Sequence, residues 1–79
     1  GGAKVAVTKG PVSWAISISW TGLPRGVYRV EYAADLSAPD WQPLPDFANI
    51  AVTSGELTIL DRSIPVGAPQ RYYRARYGP

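Results

Sequence analysis

Apolar and polar residues alternate along most of this chain. In WAISISW the side chains of Trp14, Ile16, Ile18 and Trp20 fall on one face, and those of Ala15, Ser17 and Ser19 on the other. A clean period of two over seven residues predicts a half-buried strand, apolar toward a core and polar toward water. VYRVEYA, Val27 to Ala33, repeats the pattern: Tyr28, Val30 and Tyr32 point one way, Arg29 and Glu31 the other. AKVAVT, Ala3 to Thr8, alternates with Val5 and Val7 on one face. ELTIL, Glu56 to Leu60, is rich in apolar and β-branched residues and predicts another strand. RYYRARY, Arg71 to Tyr77, places Tyr73, Ala75 and Tyr77 opposite Tyr72, Arg74 and Arg76.

Turn chemistry separates these runs. TGLPRG (Thr21 to Gly26) and Gly10-Pro11 are glycine–proline breaks, and Ser54-Gly55 marks a turn. In DLSAPD, Asp35 and Ser37 are suited to bond nearby backbone. WQPL, Trp41 to Leu44, predicts a short strand, and Pro43 places it at a sheet edge because proline has no N–H for the ladder. PDFANI (residues 45–50) reads as irregular, and Ile50 to Thr53 as a further short strand. DRSIPVGAPQ, Asp61 to Gln70, reads as a long connection. No stretch carries a 3.6 period, and breaks arrive about every 8 to 12 residues, the spacing of an all-β sandwich or barrel. The expectation is one domain over residues 1–79, an all-β antiparallel sandwich of six or seven strands.

Composition narrows the picture. Hydrophobic residues make up 46% and charged residues 18%, which argues for a packed core rather than disorder. At 79 residues that core is thin, since a chain of this size buries only about 60% of its unfolded surface. No apolar run approaches the ~20 residues of a membrane helix, so no membrane insertion is expected. With no cysteine and no histidine, disulfides, thiolate metal sites, thiol nucleophiles and serine–histidine triads are excluded. The six acids, Glu31, Asp35, Asp40, Asp46, Glu56 and Asp61, read as outer-face or turn residues, so no paired catalytic carboxylates are expected. Asp35, Ser37 and Asp40 share a loop without calcium-loop spacing. No enzyme, no cofactor and no sugar-sized groove is expected.

The arginine-rich end poses the sharper question. A nucleic-acid platform needs several stacking rings on an open face and a positive groove along the backbone. This strand offers only Tyr72 on its outer face, and the net charge is only +2. If VYRVEY lies beside RYYRARY, Glu31 meets Arg74 or Arg76 across the ladder and partly neutralises the cluster. Tyr72 is placed to lie under a guanidinium. The segment therefore reads as a sheet strand with a charged outer face, and no nucleic-acid partner is expected. Trp41 follows Pro39-Asp40 and is suited either to stack on a sugar ring or to pack over an open edge of the sandwich.

The order ISISW, YRVEY, Trp41, LTILD and YYRARY resembles the strand order of fibronectin type III and immunoglobulin-like domains. It is still more similar to short sandwich modules near the carboxyl end of large bacterial secreted and surface proteins. The matching positions are Ser19-Trp20, Tyr28, Val30-Glu31-Tyr32, Asp35-Leu36, Trp41, Leu44 and Arg71 to Arg74, over roughly residues 12 to 77. These are packing motifs, so they imply fold more than activity. In the family a further strand follows the one that RYYRARY resembles. Here it is expected to be missing, with the edge beside Tyr73 and Arg74 left open or covered by the amino-terminal strand.

The resemblance implies a non-catalytic structural or adhesive module, extracellular or at the cell surface. Its expected partners are other copies of itself or other surface proteins. In the sharpest form, residues 1–10 are an amino-terminal strand or arm free to pair with another chain, through Val5, Ala6, Val7 and Thr8. The receiving edge is Arg71, Tyr72, Arg74 and Arg76, and the product is a self-assembling filament or surface layer. The alternative is a carbohydrate-binding module that grips polysaccharide through Trp41.

Overall fold

The computed structural model describes residues 3–19, 25–65, 67 and 70–78. Seven strands run in chain order: β1 (Lys4–Lys9), β2 (Trp14–Ser19), β3 (Gly26–Ala33), β4 (Gln42–Pro43), β5 (Ile50–Val52), β6 (Glu56–Asp61) and β7 (Tyr72–Tyr77). No helix occurs among the described residues. Trp20 and the TGLPRG turn up to Pro24 lie outside them.

Two antiparallel sheets form. One has the order β1-β2-β6; in the other, β3 is the hub, with β7 along one side and β4 and β5 along the other. Alternation decides which side chains are dry. β2 is buried at Trp14, Ile16 and Ile18, and its partner β6 at Leu57, Ile59 and Asp61. β3 contributes Tyr28 and Val30, β5 contributes Val52 and β7 contributes Tyr73; Leu44, just after β4, joins the same cluster. The two sheets thus share one core, an arrangement of the sandwich class. Each fully buried aliphatic side chain adds roughly 1.5–3 kcal/mol. The outer face of the first sheet is polar, with the Ser17 and Thr58 hydroxyls both donating to Glu56 Oε1.

β4 is shorter than WQPL, and its two residues pair with β3 opposite Glu31 and Tyr32. After it the chain turns: Leu44 N–H donates to Val30 O at 3.0 Å, and Phe47 O accepts from Val30 N–H at 2.9 Å. Asp46 sits in this turn with φ of 70°, a left-handed conformation that aspartate tolerates better than most residues. The expected Asp35–Ser37 turn forms, with Ser37 N–H and Oγ–H both donating to Asp35 Oδ1 at 2.9 and 2.8 Å.

Tyr77 and Tyr32 depart from the burial that alternation assigns them, and Asp61 from what its residue type suggests. Tyr77 belongs to the inner face by parity but is 66% exposed, because β7 is buried at its start and wet at its end. Its ring stands edge-on to Tyr28, with centroids 5.2 Å apart. Glycine at position 26 makes room for that ring, since a Cβ there would lie 2.8 Å from Tyr77 Cε2. Tyr32 is only half-buried. Asp61, expected on an outer face or turn, is instead fully buried.

Candidate functional site

The amino-terminal segment is not a loose arm. β1 pairs with β2 over all six of its residues, from Lys4 opposite Ser19 to Lys9 opposite Trp14. That register answers which way its side chains point. Val5 lies beside Ile18 and Val7 beside Ile16, so both valines belong to the inner face of the sheet. Yet they are 42% and 37% exposed, while Ile16 and Ile18 are dry. Inner-face valines stay wet only where the opposing layer is absent above them.

The opposing layer, among the described residues, ends at β7. Among the described residues β7 pairs with β3 alone, from Ala33 opposite Tyr72 to Tyr28 opposite Tyr77. The hydrogen-bond alternation then identifies the groups left over. Gly78 N–H donates to Val27 O at 2.7 Å, whereas Val30 uses both of its backbone groups toward Leu44 and Phe47. In an antiparallel pair such use alternates by residue. Tyr72, Arg74 and Arg76 therefore bond β3, and the N–H and C=O groups of Tyr73, Ala75 and Tyr77 point to the opposite, unpaired edge.

A groove of about 480 Å³ runs between the wet valines and the start of this edge, at Tyr73. Val5, Val7 and Lys9 line one side, Gln70, Arg71, Tyr72 and Tyr73 the other, and Leu36 and Trp41 also contribute. Such a groove was not expected from the sequence. Period-two reading assigns faces within a strand, but not what lies opposite each face. Among the described residues, three of the six large apolar side chains that are exposed (Val5, Val7 and Leu36) belong to it, which makes it the main apolar patch rather than scattered exposure.

The wall is held by charge. Arg74 Nε donates to Glu31 Oε1 at 2.7 Å and Arg29 Nε to Glu31 Oε2 at 3.3 Å, the cross-strand neutralisation that alternation predicted. Burial works against the ionised Glu31 carboxyl, but the two guanidinium groups outweigh it and hold its pKa below the usual carboxylate value. Arg76 sits directly across from Arg29. The arginines stack on rings other than Tyr72: Arg74 lies 4.3 Å from the Trp41 ring centroid and Arg71 3.9 Å from that of Tyr32. Lys9 Nζ lies 4.6 Å from the Trp14 ring centroid.

At the start of β7 is the residue that sequence reasoning misplaced. Asp61 Oδ2 accepts from Tyr73 Oη–H at 2.6 Å and Arg71 Nη1 at 3.2 Å, and Asp61 Oδ1 accepts from Ser63 N–H and Oγ–H at 2.9 and 2.7 Å. Burial opposes its charge, yet the Tyr73 hydroxyl, the two Ser63 donors and the Arg71 guanidinium overcome that and keep its pKa below the ordinary range. Burial and the neighbouring Asp61 carboxylate push the Tyr73 phenol well above its ordinary value. The available signal was parity: in ELTILD, Asp61 shares a face with Leu57 and Ile59. This network borders a cavity of about 270 Å³ lined by Asp61, Ser63, Phe47 and Arg62 among others. It pins the root of β7 to the end of β6.

Of the residues singled out from sequence, the structure brings Val5, Val7, Arg71, Tyr72 and Trp41 to one groove. Arg74 and Arg76 lie on the outer face of the same edge strand, while Ala6 and Thr8 face away from the groove on β1. Comparison with protein-family models, curated proteins and solved structures found no match.

Proposed function

We propose that this chain is a non-catalytic structural or adhesive module of the immunoglobulin/fibronectin III-like kind, acting outside the cell or at its surface. It joins other chains by accepting a strand on the free edge of β7, the partners being further copies or other surface proteins. One observation carries the reading: the start of the unpaired edge of β7, at Tyr73, and the wet inner face of β1 border the same groove. A strand laid there would satisfy the outward groups of Tyr73, Ala75 and Tyr77 and dry Val5 and Val7 in one step. The surface location rests on the resemblance of the packing motifs to those of bacterial surface-protein modules. Polysaccharide binding through Trp41 has less support, because a guanidinium already occupies one face of its ring.

Amide hydrogen exchange tests the reading. In dilute protein the Tyr73, Ala75 and Tyr77 amides should exchange fast while those of Arg74 and Arg76 are protected. They should become protected when an extended peptide or another chain is bound. Slow exchange at those three sites in a dilute monomer would sink the proposal.

A further inference from the structure

We infer that the strand accepted at β7 comes from a different protein and is acidic, with apolar side chains at alternate positions. This rests on the strand-accepting reading above and adds the chemistry of the occupant. The charge around the edge decides it. Across the open side of β7, the nearest outward-facing neighbours of an added strand are Tyr72, Arg74 and Arg76. Glu31 already serves two guanidinium groups, those of Arg74 and Arg29. Arg76 faces Arg29 in register and forms no ion pair among the described residues. The groove itself adds Lys9 and Arg71, and no acid lines it. Arg74 and Arg71 keep Glu31 and Asp61 as partners, so the charges without an ion pair among the described residues that a newcomer meets at close range are those of Arg76 and Lys9, both positive.

A second copy is a poor match to this field. The strand it could offer most readily, β1, carries Lys4 and Lys9 and no acid. Laid along β7 it would bring like charges together, which destabilises a strand pair. It is also already paired with β2 on its other side. A segment of alternating β-branched and acidic residues fits both faces. Its apolar side chains project over Val5 and Val7, and its carboxylates lie beside Arg74 and Arg76. Five to seven residues suffice to span Tyr73 to Tyr77 at about 3.3 Å per residue.

The test uses three labelled peptides with the full chain at low salt: alternating Glu and Val, alternating Lys and Val, and Glu and Val in separate blocks. The first should bind at least about tenfold more tightly than the second, since two or three cross-strand ion pairs change sign. It should also perturb the Tyr73, Ala75 and Tyr77 amides. Arg76→Glu should shrink the acidic-over-basic preference by roughly fivefold. Val5→Ser with Val7→Ser should weaken both alternating peptides by about tenfold while leaving that preference intact. Both valines are already partly wet, so this variant is expected to fold.

Equal binding of the acidic and basic alternating peptides would overturn the inference yet leave strand acceptance standing. Equal binding of the blocked and alternating acidic peptides would reduce it to surface electrostatics and also overturn it. Concentration-dependent self-association, abolished by the valine substitutions, would make a second copy the occupant instead. Binding of none of the three, without self-association, would remove strand acceptance as well.

Discussion

Asp61 is the residue on which the arrangement of β7 depends most. Its carboxylate is fully buried and takes donors from Tyr73, Arg71 and Ser63. Replacing it with alanine leaves the Arg71 charge and the Tyr73 hydroxyl without their partner, so Asp61→Ala is expected to cost about 3–5 kcal/mol in urea unfolding. Tyr73→Phe removes one hydrogen bond to a charged group and should cost about 1.5–3 kcal/mol. The pH dependence follows from the same geometry. Asp61 and Glu31 both have folded pKa values held below the ordinary carboxylate values. Their unfolded values lie near 3.9 and 4.3, so their contribution is complete above about pH 5 and disappears as pH falls through the folded values. Urea midpoints measured from pH 7 down to pH 2 should fall, and fall less steeply in Asp61→Asn. At the alkaline end the raised Tyr73 pKa has the opposite sign. Its contribution is complete below about pH 10 and is lost as pH climbs toward the folded value.

At the scale of strands, β1 and β7 behave differently although each has six residues. β7 is anchored by full pairing to β3, by Tyr73 in the core and by Arg71 on Asp61. β1 is exposed at every position and contributes its backbone ladder to β2. Removing residues 1–9 should therefore leave the shared core in place but strip β2 of its outer partner. The edge then exposed belongs to a strand that carries three buried apolar side chains, Trp14, Ile16 and Ile18. Light scattering on the truncated chain is expected to show more self-association than on the intact one, because a long apolar edge invites pairing. A truncated chain that stays monomeric at high concentration would mean that β1 shields nothing. Arg76→Ala, by contrast, should change stability by less than about 0.5 kcal/mol, since this side chain is exposed and faces a like charge.

The whole molecule has one small core built by two sheets, and neither layer buries its apolar face without the other. Ile16 is fully buried on one sheet and Val30 on the other. Ile16→Ala is expected to cost about 2–5 kcal/mol, and Val30→Ala somewhat less because it deletes fewer methyl groups. For a domain of this size those losses rival the total stability. Both variants should lower the melting temperature of the entire chain in a single transition, read equally by tryptophan fluorescence and far-ultraviolet circular dichroism. Loss of one sheet ahead of the other would contradict a shared core.

Much of this architecture was legible residue by residue. Trp14, Ile16 and Ile18 had to share a face, and so did Tyr28 and Val30, because a pleated strand sends successive side chains to opposite sides. The cross-strand meeting of Glu31 with Arg74, the edge position of Pro43 and the Asp35–Ser37 turn followed from local rules of the same kind. Alternation, however, only assigns a side chain to a face. Whether that face is dry depends on what the rest of the chain brings opposite it. That is why Val5, Val7 and Tyr77 carry inner-face parity and are nonetheless wet, and why Asp61 is buried although its type suggests a turn. The pairing of β1 with β2, the unpaired edge of β7 and the groove between them are long-range facts. They arise from the order in which strands assemble into sheets, and no local pattern of residues encodes that order.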